Sequence, residues 1–168
     1  TLDDVLGDDF DMIVLPGGLP GADHLDNDPR IHRLLQQMAE QDKYTAAICA
    51  APKVLLNAGL LDNRKATAYP GAIDGRMAAD ALCLDQPVVS DGRVVTSRGP
   101  GTAMDFALAL IEHLHGADKR QEVETALTGA ESVPANNQQS GVDMIAGCKQ
   151  RLPVDARALF EQVVGESL

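Results

Sequence analysis

Three cysteines are available as nucleophiles, Cys49, Cys83 and Cys148, and one of them stands in a setting shaped for covalent chemistry. Cys49 follows the short apolar run Tyr44 to Ile48 without a spacer, and Ala50-Ala51-Pro52 then opens what reads as a helix. A buried strand that turns into a helix through small residues is the logic of a nucleophile elbow. The turn is tight, so the positions two before and two after the nucleophile must be small; here they are Ala47 and Ala51. Placed at the helix amino terminus, the sulfur would meet the helix dipole and free N–H groups that stabilise a thiolate. Pro52 in the first turn gives up no needed hydrogen bond. The plainer alternative is that Cys49 is one more small apolar core residue, as free cysteines often are.

Gly17-Gly18 is a second chemical element. A diglycine directly after the apolar run Met12 to Leu15 lets backbone N–H groups approach a bound oxygen. Together with the amide of Ala50 these donors would form an oxyanion hole beside the sulfur. Taken alone, Pro-Gly-Gly is usually just a turn, and a phosphate loop is disfavoured because no Lys-Ser or Lys-Thr follows. An odd number of cysteines without CxxC spacing argues against a disulfide framework or a zinc knuckle and suits a reducing, cytoplasmic setting. His113 and His115 are two apart, which on a helix points them to different sides. No metal site and no cofactor is expected, and Cys83 reads as structural.

The elements that must position these groups follow from periodicity. Continuous apolar runs at Met12–Leu15 and Tyr44–Ile48 predict strands buried on both faces. Asp28-Pro29 reads as an N-cap followed by proline at the first helical position, and Ile31, Leu34, Leu35 and Met38 form one apolar stripe behind it. A helix from about Ala50 to Ala58 ends at Gly59 as C-cap. Ala66 to Tyr69 is expected as a weaker third strand stopped by Pro70-Gly71. Val88-Val89 and Val94 to Thr96 flank Asp91-Gly92, a hairpin signal. Thr102 with Asp105 resembles a capping box opening a helix to about Leu114, whose Met104, Phe106, Leu108, Leu110 and Ile111 predict deep burial. Strands alternating with helices across short connections predict an α/β fold with a mostly parallel sheet covered on both sides. Residues 1–127 read as one domain. Residues 128–168 read as a tail: a polar linker from Ser132 to Ser140, a strand candidate at Gly141–Ala146 and an amphipathic helix at Val154–Val164.

With 168 residues the chain suffices for one domain, and 14 basic against 25 acidic residues give a formal charge of −11. Such a surface repels phosphate backbones and anionic lipid, which disfavours nucleic-acid and membrane roles. No apolar run approaches the roughly 20 residues that span a bilayer. The first residues lack both the basic start and the apolar stretch of a signal peptide. They also lack Met, as expected of a chain whose natural start lies upstream.

Val14-Leu15-Pro16-Gly17-Gly18, Ala46-Ala47-Ile48-Cys49-Ala50-Ala51-Pro52 and Thr96-Ser97-Arg98-Gly99-Pro100-Gly101-Thr102 occur in this order at plausible spacing. Together they resemble the ThiJ/PfpI superfamily, in the branch containing the Parkinsonism-associated protein deglycase and its bacterial relatives. The resemblance runs to about Leu127 and implies a flavodoxin-like three-layer sandwich and a homodimer. It implies Cys49 as nucleophile and redox-sensitive thiol, Gly18 and Ala50 as backbone donors, and Arg98 and Pro100 in the loop bordering the site. It further implies glyoxalase or deglycase chemistry on methylglyoxal or early glycation adducts through a hemithioacetal. Two features depart from the family pattern. The family's first strand is followed by a loop supplying a glutamate to the sulfur; nothing before Met12 resembles it, and Glu40 ends the amphipathic helix. The resemblance thus implies a domain without its amino-terminal strand–helix–strand portion. Tyr69 also stands where the human-type relative has a histidine, either hydrogen-bonding a substrate or sitting as a half-buried strand tyrosine. Protease-like cousins resemble Cys-His-Gly at the elbow, and class I glutamine amidotransferases need Gly-x-Cys-x-Gly with a later His-x-Glu; neither pattern is present.

Three hypotheses follow: a thiol-dependent enzyme, a non-catalytic oxidative-stress sensor, and an inactive family member whose open sheet edge requires a partner. Selective oxidation of Cys49 over the other two cysteines by dilute peroxide would favour the second. A stable, soluble monomer on size exclusion would count against the third.

Overall fold

Four strands, β1 (Met12–Leu15), β2 (Tyr44–Ile48), β3 (Val88–Asp91) and β4 (Val94–Ser97), form one sheet in the order β1-β2-β4-β3. The computed structural model describes residues 1–129 except 74, 77–80 and 84. β1 pairs with β2 and β2 with β4 in parallel, while β3 runs antiparallel to β4 across the Asp91-Gly92 hairpin. β2 is central, and Thr45 to Ile48 are all buried, which explains its continuous apolar character. Among the described residues the helices are α1 (Leu2–Val5), α2 (Gly21–Asn27), α3 (Pro29–Glu40), α4 (Pro52–Asn57), α5 (Ala103–His115) and α6 (Ala117–Thr128). No helix among them is long and apolar enough to cross a membrane.

Strand alternation divides the core in two. Leu15, Ala47 and Val94 face one side and pack with Ile31 and Leu35 of α3 and Val54 and Leu55 of α4. Ala46, Ile48 and Val95 face the other side and pack with Phe106 and Leu110 of α5. The result is the expected three-layer α/β arrangement with a mostly parallel sheet. Ala46 and Ala47 are methyl-sized and completely buried, which leaves room for helices on both faces of β2.

The start of α3 matches its sequence signal: the Asp28 carboxylate accepts the Arg30 amide at 2.9 Å and pairs with its guanidinium at 2.6 Å. Hydrogen bonding from the Arg30 side chain, then from its amide, lowers the Asp28 carboxyl to about 2. Because the folded value lies below the unfolded one, this stabilisation is present above the normal carboxylate range and disappears as pH falls through the folded value. Asp28→Ala is therefore expected to lower the thermal midpoint by about 3 °C at pH 7. The gap to the parent chain should close as pH is taken from about 4 toward 2 in a melting series.

Several expectations change. Ala66 to Tyr69 is not a strand of the sheet; among the described residues its ladder contact is a single parallel bridge from Ala66 to Leu82. Beyond Ala66, whose amide donates to the Ala81 carbonyl at 2.9 Å, the donors go elsewhere, Thr67 to the Thr96 hydroxyl at 2.9 Å and Tyr69 to the Cys49 carbonyl at 2.9 Å. Thr102 occupies the N-cap of α5 without capping it, since its hydroxyl bonds Ser97 and Gly99 instead. Deep burial of α5 holds for Phe106, Leu108 and Leu110, whereas Met104 in the first turn is 46% exposed and Ile111 half-buried. α2 was not anticipated; it packs through the fully buried Ala22. α6 likewise extends the helical region past Leu114, after a break at Gly116. The strand candidate Gly141–Ala146, the helix candidate Val154–Val164 and the rest of the tail lie outside the described residues.

Candidate active site

The elbow is built at the carboxy ends of the parallel strands, the end at which open α/β sheets bind ligands. Gly17 follows β1, Cys49 follows β2 and Arg98 follows β4. Cys49 sits at φ +63°, in the left-handed region that a side-chain-bearing residue rarely occupies. The main chain holds it there. Its amide donates to the Ser97 carbonyl at 3.0 Å, its carbonyl accepts the Tyr69 amide, and Ala51 closes the turn onto the Ile48 carbonyl at 3.1 Å. α4 then begins at Pro52, with Ala51 as N-cap.

Gly17 is required by contact. A Cβ at this position would lie 2.6 Å from the Cys49 Cβ and 2.9 Å from the Ile48 carbonyl oxygen, and 3.5 Å from the Cys49 sulfur. Gly18 is required by conformation, at φ +89° with nothing near its would-be Cβ. Among the described residues the amides of Gly18 and Ala50 donate to no protein acceptor, which leaves two N–H groups open beside the elbow. The sulfur is half-buried and makes no hydrogen bond among the described residues.

The third segment is fixed by two hydroxyls, that of Thr102, whose spacing from Asp105 predicts a helix cap, and that of Ser97. Thr102 Oγ1 lies 2.7 Å from Ser97 Oγ, receives the Gly99 amide at 3.1 Å and donates to the Gly99 carbonyl at 2.9 Å, all buried. Ser97 Oγ also donates to the Pro87 carbonyl at 3.0 Å. Ser97 thereby joins Thr102, through its hydroxyl, to Cys49, whose amide its carbonyl accepts. The signal for this lay in the two hydroxyl residues bracketing Arg98 to Gly101. Tyr69 reaches the same loop, since its ring lies 3.4 Å from where a Gly99 Cβ would stand. Arg98 and Pro100 are exposed on this loop. Lys53 in α4 pairs with Asp23 in α2 and ties the two helices together.

The remaining titratable candidates lie apart from this cluster. Cys83 Sγ is directed at the Ala81 carbonyl at 3.7 Å, and Cys148 lies outside the described residues. His113 contacts Ser90 at 2.9 Å and the Tyr44 ring at 5.1 Å, at the opposite end of the sheet, and Glu112 pairs with Arg120. Among the described residues no group of three or more His, Cys, Asp or Glu is placed to hold a metal.

The site is thus a cysteine on a strand-to-helix elbow of an α/β fold, beside two open amides at the carboxy edge of a mostly parallel sheet. The family model for the DJ-1/PfpI family matches residues 1–113, and the chain belongs to that family. It is similar to protein DJ-1 homolog A of Arabidopsis thaliana, 42% identical over 127 residues that cover 75% of this chain and 32% of the relative. It is similar also to glutathione-independent glyoxalase DJR-1.2 of Caenorhabditis elegans, 41% identical over 119 residues covering 71% of this chain and 63% of that protein. The crystal structure of Drosophila melanogaster DJ-1beta superposes with a TM-score of 0.71 at 40% identity, covering 76% of this chain and 69% of the other. The chain thus spans about a third of the plant relative and less than two thirds of the nematode one.

Proposed function

We propose that this protein converts α-oxoaldehydes such as methylglyoxal to 2-hydroxy acids through Cys49, without a thiol cofactor. The observation that carries this reading is the Cys49 elbow itself, a cysteine held at φ +63° with a side-chain-free neighbour at Gly17 and open amides at Gly18 and Ala50. The similarity to a protein named glutathione-independent glyoxalase supports this substrate class.

In the proposed reaction the Cys49 thiolate adds to the aldehyde carbon, a C–S bond forms, and the carbonyl electron pair moves to oxygen. The amides of Gly18 and Ala50 are the donors toward that oxygen. Transfer of the C1 proton to C2 through an enediol leaves a thioester of the 2-hydroxy acid. Water then adds, the C–S bond breaks, and thiolate and acid are released. C1 is oxidised and C2 reduced within one molecule, so the sum is aldehyde plus water giving hydroxy acid, with no external oxidant. Early glycation adducts of the same aldehydes are substrates in this scheme once the adduct releases its aldehyde.

The chain should form lactate from methylglyoxal over many turnovers with no thiol added, and a transient adduct should map to the Cys49 peptide by mass spectrometry. Aldehyde consumption without hydroxy acid, with adducts scattered over lysines and arginines, would defeat the proposal.

A further inference from the structure

Five large apolar side chains are exposed among the described residues: Leu6, Leu19, Tyr69, Met104 and Leu127. Leu6 and Leu127 follow α1 and end α6. The other three stand on the segments that surround Cys49. Leu19 is 69% exposed and lies two residues beyond Gly17, whose α-carbon is packed against the Cys49 side chain. Tyr69 is 53% exposed, with its amide on the Cys49 carbonyl and its ring against the Gly99 turn. Met104 is 46% exposed and follows Ala103, which packs with Cys49 against the cluster containing Ile48 and Phe106.

Exposed apolar side chains scattered singly are ordinary, but two on the connections that build one half-buried thiol and a third in the first turn of α5 are a concentration at the place where substrate must arrive. A site meant only for glyoxal, the smallest and most hydrated α-oxoaldehyde, gains nothing from such neighbours. A substituent of apolar character on the second carbonyl carbon would be removed from water against them. We propose that Leu19, Tyr69 and Met104 form an apolar rim at Cys49 that makes the site prefer α-oxoaldehydes with an aromatic or alkyl substituent over glyoxal. The preference for such aldehydes rests on the function proposed above; the rim itself acts on any reagent that reaches the sulfur.

The test therefore has two arms. In the first, Cys49 is alkylated by iodoacetamide and by N-phenyl iodoacetamide, and the ratio of the two rates is divided by the same ratio for free N-acetylcysteine. The rim predicts a normalised preference for the phenyl reagent of about tenfold, since shielding one ring face is worth about that factor. Leu19→Ser and Met104→Ser should each bring the ratio toward one, and melting curves should show both variants folded because both side chains are exposed. A normalised ratio near one in the parent chain, or a ratio unmoved by either substitution in a folded variant, overturns the rim. In the second arm, kcat/KM is compared for phenylglyoxal, methylglyoxal and glyoxal. A falling series, with the serine variants losing the aromatic advantage through KM, supports the preference, and equal values for all three overturn it. If the first arm succeeds and no aldehyde is turned over, the rim stands and the proposed reaction falls.

Discussion

Replacing Cys49 by glycine should abolish turnover of α-oxoaldehydes and at the same time make the protein more stable. The sulfur is the only nucleophile at the elbow in the proposed reaction, so the loss should be at least about a thousandfold, the scale seen when a covalent nucleophile is deleted. The gain comes from the backbone. At φ +63° an L-residue with a Cβ is strained by roughly 1 kcal/mol, and glycine is not. A rise in the thermal midpoint of about 3 °C is the expected size for a chain of this length. Cys49→Ala separates the two effects, because it removes the sulfur and keeps the Cβ. It should lose turnover equally and melt close to the parent. Residual turnover in either variant would remove Cys49 from the reaction, and a lower midpoint for the glycine variant would show that this backbone position carries no strain.

Gly17→Ala should have the largest effect of any substitution that leaves the sulfur in place. The new methyl would stand 2.6 Å from the Cys49 Cβ and 2.9 Å from the Ile48 carbonyl, and neither is the far end of a flexible side chain. Either β1 or the elbow must shift, which for an overpacked site of this kind is expected to cost about 3 kcal/mol. A displacement near 1 Å at the reacting atom also lowers rate by about a hundredfold, so activity should fall further than stability alone would account for. Gly18→Ala is the comparison. Its added methyl meets nothing within 4 Å, and only the positive φ opposes it, so about 1 kcal/mol is expected. Denaturant titration of the two variants decides the matter, and equal losses at Gly17 and Gly18 would show that the close approach to Cys49 is not the reason for glycine at position 17.

The parts of this fold that were legible from sequence are those whose signal is local. The buried run at β2, the Asp28-Pro29 start of α3 and the Asp91-Gly92 hairpin each declare themselves within a few residues, and each stands where the pattern placed it. The elbow was legible for the same reason, since a strand, a small-residue turn and a proline are contiguous around Cys49. What escaped depends on partners distant in the chain. The segment Ala66 to Tyr69 has the composition of a strand, but only Ala66 makes a bridge, and the amides of Thr67 and Tyr69 are drawn individually to Thr96 and Cys49. Thr102 reads as a cap by its spacing from Asp105, yet Ser97 and Gly99 compete for its hydroxyl and win. Gly17 could be named as a backbone donor from its motif. That a side chain there would strike Cys49, 32 positions later, is a fact of packing that no window of the sequence contains.

Among the described residues every contact shown to fix Cys49 runs through main-chain atoms: the Ser97 carbonyl, the Tyr69 amide, the Ile48 to Ala51 turn and the bare backbone of Gly17. The side chains at 19, 69 and 104 take no part in holding it. Placement of the thiol and the chemistry of its surroundings are therefore inherited separately. A lineage carrying this scaffold can exchange those surface residues one at a time, each step nearly neutral for folding, while the backbone keeps the thiol where it is.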